Sequence, residues 1–391
     1  MVTRKIVPFL SLLFVGTLCG SMIVPFMGYF IVEGLGREPW TISLYAGSVA
    51  LIVVMINRHF ARRMDGGARP FPLIGVAVGG SVVASTALVV APGFWTVMTF
   101  GVPGFSASAS ALATMFTLGG VIAGTTGIKR TTFNAYMRAT TSFAWMIGPA
   151  VSFVVADQFG FRAVFALTLA LAILWGSVWI GAAPRDAVRQ AAPSATEGGA
   201  GVQGAGIWIA AAFVFGLSAA HFMTFTALPL FFVQEVGLPA YAPGNAFTVK
   251  TFVEILAIFT TPVLISRFGI RNSLVATALL AVLAIRYLAS VESYTEMLLG
   301  AALEGLYYGL FSTLGISFVQ SLGQDRPAAA TAVYWNTLML TGLLGGPAAG
   351  LIAQAHDFQT VILWASGVAL ASVIILVAGM RHPSLRVSSS V

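Results

Sequence analysis

Residues Asn245–Pro262 read Asn-Ala-Phe-Thr-Val-Lys-Thr-Phe-Val-Glu-Ile-Leu-Ala-Ile-Phe-Thr-Thr-Pro. The stretch is apolar enough to belong to a membrane-spanning helix, yet it carries Lys250 and Glu254 one helical turn apart. A charged side chain at the centre of a bilayer costs about 2.5–3.5 kcal/mol on insertion scales, so such residues face a bundle interior or a watery cavity. Whether this run spans a membrane decides both the fold and where to look for chemistry.

Composition answers the first question. Of the 391 residues 58% are hydrophobic and 8% charged, with a mean hydropathy of +0.91. A soluble domain carries about 25% charge because its surface faces water, so this chain is expected to be an all-α polytopic membrane protein. The net charge of +7 then reports loop location, and no nucleic-acid partner is expected. The single Cys19 has no partner for an intramolecular disulfide, matches no metal-ligand spacing, and reads as packing. Arg4-Lys5 before an apolar run resembles a signal peptide, and Cys19 a lipoprotein site. Leu18 is too large for that processing and the run continues to Val32, so the first span is expected to be retained.

A spanning helix needs about 20 mostly apolar residues. That ruler predicts six spans near 6–32, 41–60, 71–91, 96–120, 131–156 and 162–182, and six more near 207–233, 244–266, 272–290, 295–320, 329–353 and 360–380. The fourth is the least regular, because Pro103-Gly104 and a Ser/Ala-rich run interrupt it. With a cytoplasmic N-terminus, 15 Lys/Arg fall in cytoplasmic segments, Lys129, Arg185, Arg189, Arg326 and Arg386 among them, and only Arg37 and Arg162 fall outside. The positive-inside rule therefore puts both termini in the cytoplasm.

Residues 183–206 are rich in Ala, Gly, Ser, Pro and Gln, the composition of a flexible linker. They separate two six-helix bundles, 1–182 and 207–391, which echo each other. Arg138 precedes Pro149 by eleven residues, and Asn336 precedes Pro347 by eleven. Pro25 and Pro229 each come before an aromatic pair and a Glu-containing turn. Such echoes across a midpoint linker favour a duplicated unit.

Met137-Arg138-Ala139, Ser142, Ala144-Trp145 and Ile147-Gly148-Pro149, with Val253-Glu254-Ile255 and the basic turn Arg267–Arg271, resemble the sugar efflux transporters of the major facilitator superfamily. The resemblance implies twelve transmembrane helices in two six-helix bundles, with the fifth, eighth and tenth spans beside a central cavity. The loop Arg58–Pro70 keeps Asp65, glycines and scattered arginines, but not the regular spacing of the superfamily's signature. Lys250, His221 and Glu304 match no motif of the family.

Five charged residues lie inside spans: Arg138, Lys250, Glu254, Arg286 and Glu304. Arg286 is close enough to a helix end to snorkel. At about 1.5 Å rise per residue, Glu254 and Glu304 fall roughly 15 Å deep, near the midplane, where transporter sites lie. Glu254 is read as an acceptor for sugar hydroxyls or a proton-exchanging group. The alternative is that it only neutralises Lys250 at i,i+4. Glu304 is read the same way, with a bond to another helix as its alternative. Arg138 suits the cavity, helix packing or gating, and His221 suits a proton relay or a packing role. Asn134, Tyr136, Trp145, Trp335 and Asn336 offer the amides and aromatic faces a polyol needs, or simple packing. Gly148-Pro149 and Gly346-Pro347 are expected to bend or break their helices and allow close contact.

No nucleotide-binding, metal-ligating or catalytic motif is present, so neither an enzyme nor a cofactor is expected. The expected function is export of small sugars or glycosides by alternating access with proton antiport, by a monomer in the inner membrane. The rivals are export of drugs or other metabolites, and a membrane sensor that binds ligand without moving it.

Overall fold

The computed structural model describes residues 3–126, 130–183, 204–322 and 327–382, and among them every long element is helical. A lipid-exposed backbone must satisfy its own hydrogen bonds, which a helix does locally. Among the described residues, eleven helices are long and apolar enough to cross a membrane. They are α1 Ile6–Gly34, α2 Trp40–Asp65, α3 Pro70–Val90, α4 Phe94–Gly124, α5 Thr132–Phe159 and α6 Phe161–Ala182, then α7 Ala205–Glu235, α8 Ala242–Leu288, α9 Tyr294–Ser321, α10 Ala330–Ala355 and α11 Phe358–Gly379. Most of the expected linker (184–203), Lys129, Arg185, Arg189, Arg326 and Arg386 lie outside the described residues.

The difference from the expected twelve arises at one place. Spans expected near 244–266 and 272–290 are joined in the 47-residue α8. A straight helix of that length would run about 70 Å, more than twice the hydrocarbon core of about 30 Å. It is not uniform, because Gly269 sits at φ 76, ψ 157, a conformation open to glycine and strained for other residues. Arg267 and Arg271 flank it.

By contact the chain forms two compact units, one of Met1–Arg37 with Gly47–Glu197, the other of Glu38–Ala46 with Gly198–Val391. In the first, Phe9, Leu12, Ile74, Met115, Phe133 and Trp175 form the centre of a buried apolar core. Small residues let its backbones approach. A Cβ at Gly80 would lie 2.7 Å from Gly104 O, so the run that weakens the fourth span's hydropathy is where α3 and α4 touch. Before Pro103, which lacks an N–H, Val97–Gly101 forms a π-helical turn. Gly148 packs so closely on α1 that a Cβ would press on Ser21 Oγ, and that hydroxyl donates to Ala144 O at 2.9 Å. The helices run unbroken through Pro149 and Pro347.

In the second unit, α7 ends in the π-helical turn Phe231–Glu235, as α1 ends in Phe30–Gly34. Glu235 accepts hydrogen bonds from Phe358 N (2.6 Å) and Gln359 N (2.9 Å), covering the exposed donors at the start of α11. Asp357 completes the cap by accepting from Thr360 N at 2.6 Å. Hydrogen bonds from Thr360 hold its carboxyl below the usual value.

Gly104→Ala should lower stability by about 1–3 kcal/mol, because the Gly80 backbone and the Ala84 Cβ must move apart. Gly79→Ala, one position from Gly80 and with open space at its Cβ, should gain up to about 1 kcal/mol from helix propensity. Thermal unfolding of the two purified variants in detergent checks the opposite signs.

Candidate functional site

The two charges of the opening stretch are joined. Lys250 Nζ donates to Glu254 Oε2 at 2.8 Å, with the side chains 10% and 20% exposed. Their position is fixed by α9. A Cβ at Gly305 would strike Lys250 O, and one at Gly309 would lie 2.5 Å from Glu254 O. The pair Gly305…Gly309, four residues apart, therefore sets the α9 backbone directly against the charged turn of α8.

With the glycines facing α8, the neighbouring residues Glu304, Tyr307 and Tyr308 fall at i, i+3 and i+4, along one side of the helix. There they meet His221 of α7. His221 Nδ1 is 3.0 Å from Tyr307 OH and 3.4 Å from Glu304 Oε1. The Tyr308 ring stacks on the imidazole, with centroids 3.8 Å apart and planes 16° from parallel. Lys250 Nζ lies 4.5 Å from the centroid of the same ring, a cation–π distance. Six side chains from three helices thus form one polar cluster within the second unit.

Glu304 is the group under most tension in this cluster. It is 2% exposed, and its Oε1 has no hydrogen-bond partner, because the imidazole approaches without hydrogen-bond alignment. An ionised carboxylate buried this way needs a partner. His221, whose Nδ1 lies 3.4 Å from that oxygen, is itself 5% exposed. Beside Glu304 is a void with room for about one water, walled by Pro229, Phe232, Pro243, Phe247 and Leu288. Lys250 and Glu254 cancel each other's charge. His221 Nδ1 thus stands between Tyr307 OH, with which it shares a hydrogen bond, and Glu304 Oε1, which it only approaches.

Four of the residues singled out in the sequence, His221, Lys250, Glu254 and Glu304, come together here. Tyr307 and Tyr308 were missed. Their signal was the spacing Glu304-x-x-Tyr307-Tyr308, which repeats one helix face. Arg138 belongs to the first unit, where it is exposed, and no ion pair involves it among the described residues. Asn134, Tyr136 and Trp145 lie in the same unit, the first two exposed and Trp145 half-buried. Trp335 and Asn336 are exposed on α10. No hydrogen bond joins them to the cluster among the described residues, and Trp335 meets the Tyr334 ring edge-on at 5.6 Å. A Cβ at Gly346 would lie 2.8 Å from Ala46 Cβ, and Pro347 O accepts from Ser43 Oγ at 2.6 Å, contacts within the second unit. Among the described residues no group of three or more His, Cys, Asp or Glu could hold a metal ion.

The fold is one shared with solved membrane transporters. The nucleoside transporter NupG superposes with a TM-score of 0.80 over 97% of this chain and 100% of its own, at 14% identity. A bacterial homologue of the human lysosomal transporter Spinster, in an inward-facing and occupied conformation, gives 0.68 over 96% and 94%, at 12% identity.

By sequence, the likeness is to the sugar efflux transporters, and it runs along nearly the whole chain. A Deinococcus radiodurans protein provisionally named a sugar efflux transporter is 28% identical over 96% of this chain and 98% of its own. Sugar efflux transporter A of Escherichia coli K12 is 23% identical over 89% of each chain. Sugar efflux transporter B of Salmonella typhimurium is 23% identical over 91% of each. No family model matches the chain. The resemblance read from Met137–Pro149 and Val253–Ile255 therefore extends beyond those short motifs.

Lys250→Met and Glu254→Gln each leave one member of the pair without its counter-charge, and each should destabilise the protein. The double variant should lose less than the sum, with a coupling of about 1–3 kcal/mol. A double-mutant cycle of unfolding in detergent measures it, and additive losses would mean that the two charges do not support each other.

Proposed function

We propose that the protein is a secondary active transporter that exports small sugars or glycosides from the cytoplasm in exchange for protons. It lies in the inner membrane as a monomer, with both termini cytoplasmic. In this reading α8 crosses the bilayer twice, turning at Gly269, and the chain makes twelve crossings in two six-helix halves joined by the segment 183–206. The sign of the loop charges gives the orientation.

The observation that carries the proposal is the buried cluster. A carboxyl and an imidazole 3.4 Å apart, remote from bulk water, are a place to take up and release a single proton. Lys250, Glu254 and the tyrosine hydroxyls supply donors and acceptors suited to an uncharged polyol. Arg138, Asn134, Tyr136, Trp145, Trp335 and Asn336 remain candidates for further substrate contacts. The Gly-Pro pairs at 148–149 and 346–347 remain candidates for helix contacts that change during alternating access. The names of the relatives supply the substrate class.

Purified protein in liposomes should move labelled small sugars against the direction of an imposed proton flux, and lipophilic dyes should not compete. Glu304→Gln should abolish the response to the gradient while keeping sugar-for-sugar exchange, which requires no net proton movement. Gradient-driven efflux by Glu304→Gln at the wild-type rate would remove Glu304 from the coupling. Dye competition with no sugar flux would favour the drug-exporter reading.

A further inference from the structure

The first unit carries a feature that sugar transport does not use. Between the end of α2 and the start of α3 is a groove of about 860 Å³. Its walls are apolar toward the middle of the two helices, where Met55 and Val76 are 61% and 55% exposed. Toward the helix ends it is lined by Arg58, Arg62 and Arg63, all exposed. The order follows from antiparallel geometry: α2 finishes and α3 begins at the same end, so moving inward from the arginines means moving back along α2 and forward along α3.

None of these three arginines makes a salt bridge among the described residues, and Asp65 is the one acid between Arg58 and Pro70. Only 17% of the apolar window of α2 is buried, the lowest share among the eleven helices. The groove thus offers a strip of cationic head contacts that continues into an apolar trough on a helix with little protein cover. A water-soluble anion would use only the head, and a neutral lipid would leave the guanidinium groups without a counter-charge. Basic clusters at the membrane end of a spanning helix attract anionic headgroups, and arginine holds phosphate oxygens in bidentate geometry.

We propose that this groove binds an anionic phospholipid of the surrounding bilayer, its phosphate held by Arg58, Arg62 and Arg63 and an acyl chain laid along Met55 and Val76. The proposal depends on the helices lying in a membrane and not on the cargo or the coupling ion, so it fails or stands separately from the transport reading.

The test is lipid retention by purified full-length protein in native mass spectrometry. Phosphatidylglycerol and phosphatidylcholine of matched chains are titrated, with inorganic phosphate as competitor. Wild type should retain phosphatidylglycerol in preference to phosphatidylcholine, and millimolar phosphate should not displace it. Arg58→Gln/Arg62→Gln should weaken phosphatidylglycerol about 30-fold, from the contribution of each basic group near an anionic surface. Val76→Trp, which fills the trough without touching charge, should also weaken it and serves if the arginine variant does not fold. Arg267→Gln/Arg271→Gln removes equal charge from the second unit and should leave retention unchanged. Equal retention of the two lipids, displacement by phosphate, wild-type retention by the groove variants, or an equal loss in the second-unit variant would each overturn the proposal.

Discussion

Charges within a membrane-spanning segment persist only if something close at hand answers them, and here closeness depends on two missing side chains. Gly305 and Gly309 allow the α9 backbone to rest on the carbonyls of Lys250 and Glu254. In lipid there is little hydrophobic force pressing helices together, so contact is won by van der Waals packing and interhelical polar bonds. The glycines provide the first, and the contact they permit brings the second. Once α9 is seated, Glu304, Tyr307 and Tyr308 are carried to the imidazole of His221. A methyl group at Gly305 would therefore disturb more than local packing. It would part the elements whose side chains answer one another across the cluster.

The two units use similar scaffolds for different ends. Both begin with a long helix closed by a π-helical turn. In the first unit the space around that turn is filled by rings: Phe26, Phe30, Phe153, Phe161 and Phe165 lie within 4.8–6.4 Å of one another, centroid to centroid, in the contacts they make. The second unit instead spends part of its interior on ionisable and hydroxyl groups. Aromatic packing tolerates no rearrangement of charge, whereas the polar cluster has more than one way to distribute its proton. The linked ionisable cluster of His221, Lys250, Glu254 and Glu304 lies in the second unit.

Much of the fold was legible because lipid imposes a coarse rule. Low charge and long apolar runs gave the helices, and Lys250 and Glu254 stood out because nothing else in their run is charged. The interruption at Gly269 was legible as a basic turn between two spans, although the helix is continuous in hydrogen bonding on either side. Less legible were the partners. Glycine is common in this chain, and nothing in hydropathy separates Gly305, which meets a backbone carbonyl, from Gly79, which meets nothing. Tyr307 and Tyr308 count as apolar in composition, so their hydroxyl and ring faces are visible only once the helix face is known. The aromatic residues at 136, 145 and 335 are legible as chemistry suited to a sugar, but side-chain type does not state which way a helix is turned.

The bonds from Glu235 to the start of α11 have a topological meaning. Glu235 meets Phe358 and Gly216 meets Ser372, so α7 and α11 run antiparallel along each other. The start of α11 thus lies beside the end of α7, although Phe358 comes 123 residues after Glu235 along the chain. The capping carboxylate therefore ties two helices that are far apart along the chain. Losing the Glu235 carboxylate would then loosen a long-range closure of the unit as well as a helix cap.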